Sequence, residues 1–430
     1  SSLFENENNA IGLEKGNVSI SSAIRANFSL SDAYITEVKD TKSGYTLPLQ
    51  HNGLGYNNLI NIYMLVKLTE IQKGRDFKIL CLEEPEAHLH PAMQYKLFKY
   101  LRDLDQADDL NQQIFVTTHS SNISAVAGID NMFMLSYNRE GESEDCCQQS
   151  LHEQFIDKEG ESRKKDAKLH LSKFLDVTRS DMLFADKVIL VEGIAEKLLM
   201  PLFMEICGCP YEDEHISIVE IGGKHFQYFV ELFNENAVKK KVLCITDRDF
   251  KWIDFDGDSK LQSYCDYVSA MPTHITDLKN SFSIDNLCIC TQEKGGRTFE
   301  DEFFLSNAED EDIIKTIFKK AVSDNVADFS EKYSFDLAKW KQNIEQMDGR
   351  SRKTIKKFFD AYNTRVDMKH ENAPQYERLI FAEIFLHYAK SKKGDVALAL
   401  LTDESLFNKD GTSKLIVPKY IREGLEWLLK

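Results

Sequence analysis

Two stretches of this chain end an apolar run in closely spaced carboxylates, a pattern suited to holding a hydrated divalent cation. In Leu190-Val191-Glu192-Gly193-Ile194-Ala195-Glu196, one carboxylate follows the strand-like run KVILV. A second comes four residues later, where the first turn of a helix would bring both to one side. Thr246-Asp247-Arg248-Asp249 closes the apolar run KVLCI with two more acids. Four carboxylates at the C-terminal edge of one parallel sheet would form a hard-oxygen site for Mg²⁺ or Mn²⁺. Such a site serves phosphodiester cleavage, in which two ions about 4 Å apart activate water and stabilise the leaving oxygen. Alone, each motif is common, since acids start many helices and D-x-D is frequent. Their order, each after an apolar strand, carries the metal reading.

A further stretch, Ile79-Leu80-Cys81-Leu82-Glu83-Glu84-Pro85-Glu86, delivers two adjacent carboxylates from a strand end. One can hold the water shell of Mg²⁺ while the next polarises an attacking water, the arrangement ATP hydrolysis needs. Unpaired acids side by side are otherwise electrostatically costly. Further on, a second apolar run ends in Thr118-His119-Ser120, which places His119 where a γ-phosphate sensor is required.

The elements needed to position these groups are legible in the apolar periodicity. Residues 1–50 are polar with weak periodicity, and the first convincing element is a helix over 59–71. A short buried strand over 78–82, a helix from Pro91 to about Leu104 and a strand over 113–117 follow. From 138 to 168 the composition turns charged, as expected of a surface excursion, and the boundary is set near Thr178. Strands over 187–191, 216–221 and 241–246 then alternate with helices over 195–206 and 228–233, predicting a mainly parallel sheet. Residues 306–380 read as helical and highly charged, without a chemical motif.

Taken together, EEPEAHLHP, TTHSS and the earlier Gly53-Leu54-Gly55-Tyr56-Asn57-Asn58 resemble the Walker B and D-loop, the switch histidine and a divergent signature motif of ABC-type ATPases. The resemblance is to those of the OLD (overcoming lysogenization defect) family. It implies Glu83 as the Mg²⁺-associated acid, Glu84 as catalytic base, His119 as switch residue, and Gly53 and Gly55 as ATP-related. LFADKVILVEGIAE, then VEIGG, then the D-x-D strand similarly resemble the Toprim domain of OLD-family nucleases. That likeness carries Glu192, Glu196, Asp247 and Asp249 over as metal ligands. Arg297-Thr298-Phe299-Glu300-Asp301 resembles the family's later acidic motif, with Glu300 as ligand, and Lys393-Gly394-Asp395-Val396-Ala397-Leu398 its C-terminal segment. There Lys393 would stabilise charge on the cleaved phosphate.

The fold class expected is therefore α/β: a partial ABC-type ATPase domain over 1–137, a charged connector over 138–178, and a Toprim domain over 179–430 with a helical insertion at about 306–380. The resemblance implies a metal-dependent DNA endonuclease regulated by ATP, of the kind found in Gabija and retron-associated anti-phage defence. It also implies a homodimer or higher assembly and a defence-system partner such as a helicase or retron component. The cofactors would be Mg²⁺ or Mn²⁺, two per Toprim site, and ATP with Mg²⁺ in an intact protein. No G-x-x-x-x-G-K-[ST] occurs in the chain, so that phosphate cradle is expected upstream of a first residue that is not Met. Two rivals stand beside this reading: a Toprim primase or topoisomerase, and a non-catalytic ATP-gated clamp or SMC-like protein.

Composition bounds the remainder. With 430 residues, 42% hydrophobic and 29% charged, the chain reads as two globular domains, and no apolar run reaches the roughly 18 residues of a membrane span. Nine cysteines without zinc-knuckle spacing read as reduced structural thiols of a cytoplasmic protein. A net charge of −17 excludes a uniformly basic nucleic-acid binder but leaves room for a local basic groove. Its candidates are Lys239, Lys240 and Lys241, then Arg350, Arg352, Lys353, Lys356 and Lys357.

Overall fold

The computed structural model describes residues 18–24, 34–40, 43–71, 78–105, 112–138, 145–151, 155, 162–176, 179–210, 213–233, 238–249, 271–282, 284–293, 296–321, 342, 344, 349–364 and 373–430. Their contacts divide into two units, Ser1–Ile156 with Lys168–Phe184, and Asp157–Ala167 with Ala185–Lys430.

In the first unit, strands β1 (Val18–Ile24), β2 (Tyr34–Asp40) and β3 (Thr46–Pro48) form an antiparallel sheet in a region whose weak periodicity predicted nothing regular. β4 (Lys78–Glu83) pairs in parallel with β5 (Gln112–Thr117), with Glu83 opposite Thr117. β7 (Asp145–Ser150), within the stretch read as a charged excursion, pairs antiparallel with β6 (Phe133–Asn138), which ends where that stretch begins. The helix Leu54–Ile71 begins five residues before the expected start, so it takes in most of the Gly53 to Asn58 segment. Its Leu59, Ile60, Tyr63 and Val66 are buried with Leu80 and Leu82 of β4 and Leu97, Phe98 and Leu101 of the helix Pro91–Asp105. These positions recur at helical spacing, which is why burying one face of each helix suffices to close this core. The expectation of a fully buried β4 does not hold. Ile79 is 57% exposed and Phe115 54%, because the alternation of a strand turns only Leu80 and Leu82 toward the core just described.

The second unit is built on a four-stranded, wholly parallel sheet in the order β11-β10-β8-β9. Its strands are β8 (Lys187–Val191), β9 (Ile216–Glu220), β10 (Lys241–Ile245) and β11 (Leu287–Cys290). Apolar runs without polar alternation are what a sheet covered on both faces demands, and Val188–Val191 and Val242–Cys244 are fully buried. Strand β11 was not foreseen, since LCIC was read only for its thiols. The helices Ile194–Ile206, Phe299–Ser306, Glu311–Ala321, Gly349–Thr364, Ala373–Ala389 and Lys419–Leu429 contribute to one continuous core with β8 and β10. At its centre the Phe203 ring lies 6.0 Å from Phe299 and 5.9 Å from Phe303. The described part of the 306–380 stretch is helical, as its composition suggested. Among the described residues no helix is long and apolar enough to cross a membrane.

Candidate functional site

Register decides the acidic site. Val191 of β8 lies opposite Ile245 of β10, so Glu192 and the Thr246–Asp247 pair leave the sheet side by side. The Asp247 N–H donates to Glu192 Oε2 at 3.1 Å, and the Thr246 hydroxyl lies 3.4 Å from the same oxygen. Glu196 stands in the first turn of the helix Ile194–Ile206, capped by Gly193. A side chain at Gly193 would put a Cβ 3.1 Å from Glu196 Oε2, so glycine leaves that carboxylate its room. Glu196 is buried, and its Oε2 has no hydrogen-bond partner. Glu300 enters from the start of the helix Phe299–Ser306, receiving the Thr298 hydroxyl at 2.9 Å and pairing with Lys393 Nζ at 2.9 Å. Lys393 opens the helix Lys393–Leu401.

Electrostatics ties these groups together more tightly than sequence spacing suggests. Burial, then Glu300, pushes the Glu196 carboxyl up to about 8. Burial, reinforced by Glu196, Glu192 and Glu300, lifts Asp247 well above the usual carboxylate range. Burial also raises Glu192, against the Asp247 N–H that lowers it. For Lys393, burial pulls downward, but Glu300, Asp247 and Glu196 outweigh it and hold the ammonium above its ordinary range. Thus Glu192, Glu196, Asp247 and Glu300 form one mutually repelling group, offset by Lys393 and, at Glu192, also by Lys224.

Asp249 is placed differently. Its backbone is in the left-handed region at φ 50, its N–H donates to Arg297 O at 2.8 Å, and its carboxylate pairs with Lys224 Nζ at 2.5 Å. Among the described residues no three His, Cys, Asp or Glu side chains already converge in metal-holding geometry. The donor set nevertheless suits a divalent cation: hard oxygens, several carboxyl groups crowded in one largely buried cluster, and an unpartnered oxygen on Glu196.

Sequence reasoning missed several neighbours. Gln292, two residues beyond β11, donates to Asp247 Oδ1 at 2.6 Å, and His274 Nε2 lies 3.2 Å from the Asp247 carbonyl. Lys224 follows Gly222-Gly223, the glycines of the VEIGG match, and was itself given no role. Gln292 was invisible because β11 was not recognised, so no strand end pointed to it.

In the first unit, Glu84 follows β4 with φ 40, its N–H donating to Thr117 O at 3.0 Å. His119 Nε2 lies 3.5 Å from Glu84 Oε1, both side chains being open to solvent at 84% and 56%. Glu86, quoted in the motif but given no role, accepts the His119 N–H at 3.0 Å and the Thr118 hydroxyl, locking the two loops together. The Asn58 amide donates to the carbonyls of Pro85 at 2.9 Å and Ala87 at 3.1 Å. Glu83, Glu84 and His119 are therefore at one edge, and the Gly53 to Asn58 segment is packed on the loop that follows them. Of the basic candidates, Lys240 donates to Ala185 O and Lys241 lies over the Trp427 ring at 5.8 Å, contacts that serve the fold.

Comparison with known proteins agrees with this division. Residues 2–124 match the model of an AAA ATPase domain, and residues 183–249 that of the overcoming lysogenization defect protein-like TOPRIM domain. Endonuclease GajA of Bacillus cereus (strain HuB5-5) is 24% identical over 423 residues, covering 89% of this chain and 54% of the relative. The OLD nuclease of Thermus scotoductus (strain ATCC 700910 / SA-01) is 25% identical over 186 residues, covering 43% and 33%. The chain thus spans from a third to about half the length of these relatives. The C-terminal region of the Burkholderia pseudomallei OLD protein aligns with 57% of this chain and 97% of its own, at 18% identity and a TM-score of 0.32. With both domain models matched in this order, the chain joins an AAA-type ATPase segment to an OLD-like TOPRIM domain and is homologous to endonuclease GajA and OLD nuclease.

Proposed function

We propose that the chain cleaves DNA by metal-dependent phosphodiester hydrolysis at the acidic edge of its second unit, under the control of the ATPase segment. One observation supports this above the others: Glu192, Glu196, Asp247 and Glu300 share a buried site in which Glu196 Oε2 has no partner. Buried like charges are costly to maintain, and a divalent ion is the simplest group that offsets them. Glu192, Glu196, Asp247 and Glu300 would hold the ion, with Asp249 joining if it exchanges Lys224 for metal. When bound, Mg²⁺ or Mn²⁺ supplies Lewis-acid activation of water and charge stabilisation at the phosphate. Lys393 keeps its proton beside these acids and is placed to neutralise a phosphate oxygen after leaving Glu300.

In the ATPase segment, Glu83 is the Mg²⁺-associated acid, Glu84 orients water and His119 senses the γ-phosphate, with Gly53 and Gly55 in the segment that a partner copy's nucleotide would meet. DNA is the substrate, a homodimer is the working assembly, and anti-phage defence is the role that likeness to GajA favours. The clamp reading differs in needing no metal.

The test is direct. Supercoiled plasmid incubated with the protein and Mg²⁺ or Mn²⁺ is nicked or linearised, and Glu192→Ala and Asp247→Ala each abolish cutting. Cutting that survives both substitutions overturns the assignment.

A further inference from the structure

The acids of the site are held by a residue that neither motif contains. Gln292 is almost fully buried, and all four hydrogen-bonding positions of its amide are used. Its Oε1 accepts from the Arg248 backbone N–H at 2.8 Å and lies 3.2 Å from the Thr291 hydroxyl. Its Nε2 donates to Asp247 Oδ1 at 2.6 Å and reaches the Tyr420 hydroxyl at 3.5 Å. Because a backbone N–H can only donate, the amide oxygen must face Arg248, and the NH₂ group must then face Asp247. The orientation is therefore set by chemistry rather than by choice.

Three elements meet on Asp247 in this way. Its N–H is committed to Glu192, its carbonyl to His274 and its Oδ1 to Gln292. What remains is Oδ2. With its backbone held at N–H and C=O and its carboxylate held at Oδ1 by Gln292, the Asp247 side chain has lost rotational freedom before any ion arrives, so it pays less entropy on ligation. Tyr420, fully buried on the helix Lys419–Leu429, occupies the second hydrogen of the amide and so ties the last helix to the site.

We infer that Gln292, backed by Tyr420, is the positioning residue of the acidic site: it fixes Asp247 so that Oδ2 alone is presented to a divalent ion. The inference rests on the proposed metal-dependent reading. It assigns β11 and the C-terminal helix a function, since both exist on the far side of Asp247 to supply these two side chains. Gln292 touches neither substrate nor ion; it acts through Asp247.

The experiment titrates Mn²⁺ into the full chain by calorimetry, alongside plasmid cutting at graded Mn²⁺ and melting of the metal-free protein. Gln292→Met removes the hydrogen bonds at similar volume, and Tyr420→Phe removes one oxygen. Gln292→Met is expected to weaken Mn²⁺ binding by about 10–100-fold, the range typical of a lost outer-shell partner. The Mn²⁺ concentration for half-maximal cutting should rise by the same factor, while the rate at saturating Mn²⁺ returns to within about threefold of wild type. Tyr420→Phe should weaken binding by a smaller factor in the same direction, with melting close to wild type. If Gln292→Met does not fold, Tyr420→Phe decides alone. Wild-type Mn²⁺ affinity in every variant that folds overturns the inference while leaving the nuclease reading intact. A wild-type protein that binds no Mn²⁺ overturns both.

Discussion

Lys393 illustrates how much one side chain can carry. It is 31% exposed, pairs with Glu300 at 2.9 Å, and is the cation that Glu300, Asp247 and Glu196 all hold in its charged form. Replacing it by methionine keeps the length and removes the charge. The acids are then left buried without their counter-ion, a situation that costs far more than the pair itself contributes. Lys393→Met should therefore lower the stability of the metal-free protein by about 1–3 kcal/mol, a partial exposure discounting the larger cost of a fully buried pair. Excess Mn²⁺ should recover much of this loss by taking over the charge, although plasmid cutting stays impaired. Chemical denaturation with and without Mn²⁺ reads both effects, and unchanged stability in the metal-free protein would show that Glu300 is neutral or solvated there. Glu300, assigned as a ligand only through the resemblance of its acidic motif, receives both Lys393 and Thr298.

At the scale of elements, the start of the helix Leu54–Ile71 is set by the loop it meets. A Cβ at Gly55 would lie 2.5 Å from the His88 carbonyl oxygen, closer than any real contact, and that oxygen belongs to backbone that cannot swing aside. Asn58, one turn later, donates to Pro85 and Ala87 in the same loop. The glycine thus serves close packing here whatever its part in nucleotide chemistry. Gly55→Ala should destabilise the first unit by about 1–3 kcal/mol through overpacking, seen as a lower melting temperature. Cutting by the second unit should be spared at temperatures where the first remains folded. A melting temperature equal to wild type would mean that the loop is not held against the helix. Neither the early start of this helix nor β11 was foreseen, and the cause is shared. Gly53 to Asn58 is polar and LCIC is short, so local periodicity is weak in both, and tertiary contacts supply what propensity does not.

For the whole molecule, the relation between nucleotide and cutting follows from what the chain contains. Glu83, Glu84 and His119 are gathered at the ends of β4 and β5, but the G-x-x-x-x-G-K-[ST] loop that cradles phosphates is missing from these 430 residues. A ligand shifts an equilibrium only through differential affinity for its states, and without the cradle there is little affinity to differ. The chain as it stands should cut plasmid at the same rate with and without millimolar ATP, free metal being held constant against chelation. A several-fold response to ATP under that control would reveal a nucleotide site elsewhere in the chain.

What the sequence determined alone was the chemistry and its order along the chain. Apolar runs ending in acids at 83–84, 192–196 and 247–249 are local patterns, and local patterns survive reading in one dimension. So do the helices and strands around them, because their periodicity is set by burial of one face or of two. Tertiary structure decided which acids meet. Gln292, Glu300 and Lys393 lie 45, 53 and 146 residues beyond Asp247 along the chain; in the fold Gln292 arrives from the end of β11, beside β10, while Glu300 and Lys393 arrive from the first turns of two helices. It also set Asp249 apart, bending its backbone to φ 50 and pairing it with Lys224. Which way Asp249 faces could not be read from the pattern of residue types, since side-chain direction after a strand end depends on the turn that follows and on what it packs against.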